Sequence, residues 1–402
     1  MILEMKIIID DGRASEVFYN GQYYKTKVEL DVSFADALRI NKIFNATILG
    51  KAEPYNPFYF AEGKELAMWA DIDTISGWGN VGLNLIKSSF KFFKTALIGR
   101  VTDVRDPVIL GAQRKDAEAG MGVILHEQPR HQWLDLPFEK KIAVVPWETT
   151  KCPASWIPRI NSCTALIVPC VQNKQAFIDS GVTIPIELMH WGVDTEAFYE
   201  IERPERPIFT FGTLGNLSRR KGTDMLVKAF LKAFPTEQDV RIIFKTSANH
   251  FFWAVRDKRV IIDQMPVPHD ELMKNFFGEI DCFVMPTRGE GCGMPIMEAM
   301  STGVPAIVTN WSGPVDFVTD ETGYLLDYKL EPAKDFSEIT YKEDCGEWAL
   351  PSEEHLIKLM RHAYENRDEV KQKGKKAAKE MRDNWTWEKQ ILGYVEAVKK
   401  HF

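Results

Sequence analysis

Two glutamates, Glu290 and Glu298, stand eight positions apart in a stretch punctuated by Gly289, Gly291 and Gly293. The apolar run Cys282 to Met285 ahead of them has strand length, and Pro295 sits where a first helical residue would, opening a helix through Glu298, Ala299 and Met300. Gly303-Val304-Pro305 stops that helix, and Ala306 to Val308 reads as the next parallel strand. Glycines before a helix N-terminus leave backbone N–H groups facing an opening. The helix dipole adds partial positive charge there, so the place suits a phosphate or another anion. Carboxylates beside such a cradle make sense if they accept hydrogen bonds from hydroxyls of the same ligand, as in a sugar nucleotide. A second constellation lies upstream. Phe209 to Phe211 runs into Gly212-Thr213-Leu214-Gly215, then Arg219-Arg220-Lys221-Gly222, with a helix predicted over Asp224 to Phe234. Three cations beside a helix start suit a diphosphate, because each gives charge-assisted hydrogen bonds and neutralises a leaving group.

The first half of the chain offers weaker signals. Leu66 to Ile75 leads into Ser76-Gly77-Trp78-Gly79-Asn80-Val81-Gly82, then a helix to about Phe93, a strand over Ala96 to Val101, and Asp103. Read literally this is close to a dinucleotide fingerprint, which keeps an NAD-dependent dehydrogenase or a nucleotide-binding protein in view. Lys87, Lys91 and Lys94 share a helical face beside Phe90, Phe92 and Phe93; such a row is a solvated face or a contact with an anionic membrane or acceptor. Met121 to Leu125 and Lys141 to Val145 are strand-like, ending in His126-Glu127 and Pro146-Trp147-Glu148. Polar residues there would sit at the ligand edge of an open parallel sheet.

The string Glu290-Gly291-Cys292-Gly293-Met294-Pro295-Ile296-Met297-Glu298-Ala299-Met300, with Gly303-Val304-Pro305, resembles the glutamate-x7-glutamate motif of retaining glycosyltransferases of the GT-B fold, family 4 type. The resemblance covers about residues 66 to 402 and includes Gly192-Val193-Asp194, Trp311 to Phe317, and Thr322 to Leu325. It implies an α/β protein with two Rossmann-like domains facing a deep interdomain cleft, and a C-terminal helix that crosses back to the first domain at Trp385-Thr386-Trp387. It places Glu290 by the transferred sugar and Glu298 on the ribose, with Gly291, Cys292, Gly293 and Met294 on the donor phosphates. Lys221 matches the family's diphosphate-binding lysine. The usual arginine follows the first glycine, where this chain has Thr213, so Arg219 or Arg220 substitutes, and Arg220 is preferred. Gly215 belongs to the same donor-binding loop. Val267, in the loop before the helix of Glu271 to Phe277, is the candidate for backbone contact with the base; Asp270 would cap that helix. On the acceptor side the resemblance assigns Gly77, Gly79 and Asn80. Many family members carry a histidine where this chain has Trp147-Glu148, so either Glu148 takes that sugar contact or His126 does so from the neighbouring strand.

The resulting domain reading is an N-terminal extension over 1–65, a first domain over 66–195, a linker over 196–207, a second domain over 208–384 and a returning helix over 385–402. Within the extension, Asn20-Gly21 reads as a hairpin turn and Phe34 to Phe44 has helical spacing. Length alone favours two domains. A net charge of −7 gives no bulk attraction to nucleic acid or anionic membrane. Six cysteines without metal-ligand spacing read as reduced, buried thiols of a cytoplasmic protein. No run approaches the roughly 20 apolar residues of a membrane span and no signal peptide precedes the first strand, which leaves room for peripheral membrane contact only. The expectation is a retaining, metal-independent hexosyltransferase using a UDP-, GDP- or ADP-sugar, with no other cofactor and an acceptor that the residues do not identify. A sugar-nucleotide epimerase of the same fold is the nearest alternative.

Overall fold

The computed structural model describes residues 65–401 except 74–75, 103, 105, 115–119, 127, 247–254, 266, 268–270 and 334–342. In the first 64 residues it describes only the backbone of the strands Glu4–Ile9, Glu16–Tyr19, Gln22–Lys25, Glu29–Ser33 and Ala46–Ile48. Glu16–Tyr19 and Gln22–Lys25 pair antiparallel with Tyr19 opposite Gln22, the register a two-residue turn requires. The turn residues themselves, the expected helix of 34–44, Asp103, Glu127 and Asp270 lie outside the described residues.

Two parallel sheets carry the rest. The first runs Gln113–Arg114, Lys94–Ile98, Glu65–Ala70, Met121–Leu125, Lys140–Val144, Ala165–Val168, Ile186–Leu188 from edge to edge. The second runs Val260–Asp263, Val240–Lys245, Phe209–Leu214, Cys282–Met285, Ala306–Thr309, Gly323–Leu326. Both follow the doubly wound order, third strand outermost and first strand next to fourth. Their central strands are buried on both faces, which is why they read as unbroken apolar runs rather than alternating ones. In each sheet the chain reverses its direction of travel between the first and fourth strands, and ligands of such sheets bind outside the C-terminal ends at that point.

Those ends face each other. After Lys140–Val144, the Pro146–Glu148 segment presses on the glycines after Cys282–Met285: a Cβ on Gly289 would collide with the Glu148 carbonyl oxygen, and one on Gly291 with Pro146. Asp316 of the second half accepts from the Val171 N–H at the start of the helix Val171–Asp179, at 3.1 Å, and lies 3.5 Å from His190. A ribbon from the second half, Tyr328–Pro332 paired with Glu347–Pro351, buries Trp348 in the core of the first half among Trp147, Trp156 and Cys152. Thr149 Oγ1 donates to the Cys345 carbonyl across this seam, at 2.6 Å. All six cysteines are free and buried.

The tail breaks twice. Helices Glu353–Glu365, Arg367–Asn384 and Trp387–His401 are separated at Asn366, which the sequence reading did not anticipate, and at Trp385-Thr386, which it did. At the second break the Val193 N–H donates to the Trp385 carbonyl at 2.9 Å. The last helix then lies on the first half, its Tyr394 hydroxyl 2.9 Å from Ser89 Oγ.

Candidate functional site

The second sheet builds the charged half of the site. Phe209–Leu214 runs three residues further than the sequence suggested, so Gly212 and Thr213 are strand, and the loop begins at Gly215 with φ +125°. Thr213 is buried within the strand rather than in the loop. The loop instead delivers its cations from the turn before the helix Thr223–Ala233. Arg220 Nη1 donates to Glu290 Oε1 at 3.0 Å and to the Gly289 carbonyl at 2.9 Å. Lys221 Nζ donates to Glu290 Oε2 at 3.0 Å and lies 2.8 Å from Oε1. Arg219 turns away, 3.6 Å from Glu331 and over the ring of Trp348. Of the two arginines, the one adjoining Lys221 is brought to the glutamate.

Glu290 is 5% exposed. Burial pushes its carboxyl up, but Lys221 and Arg220, with hydrogen bonds from Lys221 and Thr287, outweigh that and hold it below the usual carboxylate range. Removing Glu290 would leave two enclosed cations without this counter-charge, a loss of about 3–5 kcal/mol. Two residues to which the sequence reading gave no role hold Glu290 in place. Thr287 Oγ1 is 3.1 Å from Glu290 Oε1. The Glu290 carbonyl accepts from Ser312 Oγ at 2.6 Å and from the Gly313 N–H at 3.1 Å. Ser312 has φ +64°, alone among the described non-glycine residues in having positive φ, and its hydrogen bond keeps it there. The Thr-x-x-Glu spacing of 287–290 was the available cue, since that spacing brings the two side chains within reach.

The helix of the motif is Met294–Ser301, with Met294 its first residue and Pro295 its second, one position later than the spacing suggested. Gly293 precedes it at φ +96°, a conformation that a side chain would strain. Gly291, Cys292 and Gly293 thus lie between the Glu290 cluster and a helix N-terminus. Glu298 is in this helix and 4% exposed. Cys292 is buried, and that burial pushes its thiol up, so it is a packed thiol rather than a thiolate. Val267 is half-buried and packs on the cluster that contains Met294 and Met297.

The first sheet offers a different environment. The glycine-rich segment is not a loop: Gly77, Gly79 and Asn80 are the opening turn of the helix Gly77–Phe92. Ser76 caps it, its Oγ accepting from the Gly79 N–H at 2.9 Å while donating to Asp73 at 2.7 Å. A Cβ on Gly79 would meet the Asp73 carboxylate. The glycine therefore admits an acid, and that acid occupies the end of the helix where a phosphate would rest. A Cβ on Gly77 meets nothing within 4 Å, so that residue borders open space.

His126, at the end of the fourth strand, is 1% exposed and held edge-on to Trp69 with ring centroids 4.5 Å apart. Its Nδ1 accepts from Trp133 Nε1 at 3.2 Å. An indole N–H only donates, so the imidazole proton is on Nε2. Burial, and then Arg130, push its pKa down to about 4, leaving a neutral ring. Nε2 is buried with no hydrogen-bond partner among the described residues. Glu148 is on the domain seam 3.9 Å from Arg220, while Trp147 points into the core and donates from its backbone N–H to Asn173 Oδ1 at 2.8 Å. Glu148 is thus brought to the Glu290 cluster. His126 is not in contact with it.

Among the described residues no group of three or more His, Cys, Asp or Glu side chains stands together as metal ligands would. No described helix is long and apolar enough to cross a membrane.

Residues 208–339 match the family described as Glycosyl transferases group 1. Glycogen synthase of Trichodesmium erythraeum is 26% identical over 206 residues, 48% of this chain and 39% of that protein. The GDP-mannose-dependent alpha-mannosyltransferase of Corynebacterium glutamicum is 23% identical over 233 residues, 53% and 49% of the two chains. The chain thus spans less than half the length of these relatives. Among solved structures, sucrose-phosphate synthase of Thermosynechococcus elongatus superposes with a TM-score of 0.60 at 13% identity, over 84% of this chain and 99% of that one. Anabaena HepE, solved with UDP-glucose, superposes with a TM-score of 0.60 at 12% identity, over 84% and 100%. The fold is GT-B.

Proposed function

With a group 1 glycosyl transferase domain at residues 208–339, we propose that the chain moves a glycosyl group from a nucleoside-diphosphate sugar to an acceptor hydroxyl, retaining anomeric configuration and using no metal. The observation that carries the reading is the buried cluster of Arg220 and Lys221 on Glu290, set between the Gly215 loop and the N-terminus of the Glu298 helix. In such a transfer the bond from the anomeric carbon to the diphosphate oxygen breaks, and negative charge grows on that oxygen. Lys221, Arg220 and the amides of Gly291 to Met294 are fixed donors that need no reorganisation as that charge appears. Glu290, kept ionised, supports the positive charge on the sugar ring and orients both cations. Glu298 accepts from the ribose hydroxyls.

Attack from the face of departure suits this arrangement, because the departing oxygen is then the base nearest the acceptor's proton. The carboxylate of Glu148, contributed by the first sheet and brought to the Glu290 cluster, is the group suited to hold the sugar. The donors shown with HepE and the substrates named for the other relatives support a nucleotide sugar as donor.

The test is a thermal-shift panel of UDP-, GDP- and ADP-sugars against NAD and NADP, followed by nucleoside diphosphate release with and without candidate acceptors. Stabilisation by a nucleotide sugar, and release that requires an acceptor, are expected. Stabilisation by NAD alone would overturn the reading, and acceptor-independent isomerisation would make the protein an epimerase.

A further inference from the structure

The donor reading leaves the base unspecified, and one ion pair outside the Glu290 cluster, a buried lysine on a half-buried aspartate, bears on it. Lys245 ends the second strand of the second sheet, directly beside Leu214 in register, and its carbonyl accepts from the Gly215 N–H at 3.0 Å. It is therefore one strand, about 5 Å, along the sheet edge from the loop that carries Lys221. Alternate strand residues share a face. Val240, Ile242 and Phe244 pack in the core under the helix Thr223–Ala233, whereas Ile243, two residues before Lys245, packs on the other core, the one that includes the donor-motif helix, so Lys245 lies on that second face, one step nearer the strand's C-terminal end.

A lysine at 6% exposure needs a reason. Lys245 Nζ is 2.8 Å from Asp263 Oδ2 and donates to the Met265 carbonyl at 2.6 Å. Asp263 ends the next strand out, and its other oxygen accepts from the Met265 N–H at 2.9 Å. Burial raises this carboxyl, but Lys245 and the Met265 N–H outweigh it and keep the group ionised. An ammonium has three N–H donors and a carboxylate about four lone-pair positions, so after the bonds made among the described residues each retains capacity for a ligand. The pair presents one donor and one acceptor side by side, next to the segment of Met265 and Val267.

Nucleobases divide on this pattern. Uracil, guanine and hypoxanthine carry a carbonyl oxygen beside a ring N–H. Cytosine and adenine carry an amino group beside an unprotonated ring nitrogen, the reverse polarity. Lysine donating to the carbonyl and aspartate accepting from the ring N–H complement the first group and oppose the second. We propose that Lys245 and Asp263 read the base of the donor nucleotide and select an oxo base, uracil or a 6-oxopurine, over cytosine and adenine. The inference rests on the donor-site reading above, since it needs the phosphates to lie on the Gly215 loop.

Calorimetric titration of the full chain with UDP against CDP, and with IDP against ADP, compares bases matched in size. At least one oxo form should bind about tenfold or more tightly than its amino counterpart, the scale of a two-bond base contact. GDP beside UDP then tells a purine site from a pyrimidine site. In Lys245→Met the preference should shrink to within about twofold, with residual binding carried by the diphosphate. CDP binding as tightly as UDP together with ADP binding as tightly as IDP overturns the inference, and the wild-type titrations decide this even if the variant does not fold. Should none of the four nucleotides bind, it is the donor-site reading that fails, and base selection with it.

Discussion

The two sheets share one strand order and put opposite chemistry at the same topological point. After the fourth strand of the second sheet stands an ionised glutamate gripped by two cations. After the fourth strand of the first stands a neutral histidine caged by Trp69 and Trp133. The first-strand ends differ in the same sense: one leads to Arg220 and Lys221, the other to Asp73 and Ser76 capping their own helix. The fold fixes where a site forms, not what it does. A buried charge persists only where counter-charges are built around it, as at Glu290; without them the group goes neutral, as His126 does. The proposed transfer, which expels a diphosphate and takes up a hydroxyl, would draw on both environments.

The contrast can be broken most sharply at its charged end. Glu290→Gln should cut turnover about 10³-fold and lower stability by about 3 kcal/mol, since Arg220 and Lys221 lose their buried counter-charge. Steady-state kinetics and chemical denaturation measure both, and wild-type turnover would erase the distinction between the halves.

The neutral end gives the next effect. Above pH 6.5 the His126 ring is neutral folded or unfolded, and its full contribution to stability is present. As pH falls from 6.5 towards about 4, the unfolded chain takes up a proton that the folded ring refuses, and stability drops. The loss approaches about 3 kcal/mol at the low end. Denaturation at pH 7.5 and 5 should show it, and His126→Gln should flatten it; an unchanged slope in that variant would mean the ring does not titrate as its burial requires. Glu290 acts in a lower window, its contribution fading only below the ordinary glutamate value because its folded pKa is depressed.

Smaller effects separate binding from chemistry. Glu298→Ala should weaken donor affinity about tenfold, the loss of a hydrogen-bonding carboxylate, with kcat changed less than threefold; a kcat effect larger than the affinity effect would move Glu298 into the chemical step. Arg219→Ala should alter turnover by less than about twofold, because its side chain faces Glu331 and Trp348 on the ribbon. An effect matching that of Arg220→Ala would reverse the assignment of the two arginines.

Much of the second half was legible in sequence because its signals are local. The strands Cys282–Met285 and Ala306–Thr309 fall on their apolar runs, and Glu290 stands among glycines a few residues away, while Lys221 was singled out by the resemblance. What escaped depends on contacts distant in sequence. Nothing near Ser312 announces that its hydroxyl holds the Glu290 carbonyl. Nothing near Trp348 says that it packs in the core of the other half. The glycines at 77–82 misled for a physical reason: glycine admits any close neighbour, and the neighbour at Gly79 is a carboxylate rather than a phosphate.

The most direct test is nucleoside diphosphate release by Lys221→Met at saturating donor and acceptor, beside wild type and with thermal stability measured for both. In the proposed transfer the lysine meets the charge on the departing oxygen, and on that proposal kcat should fall about 10²–10³-fold in a folded variant. A folded Lys221→Met protein turning over within twofold of wild type would contradict the account.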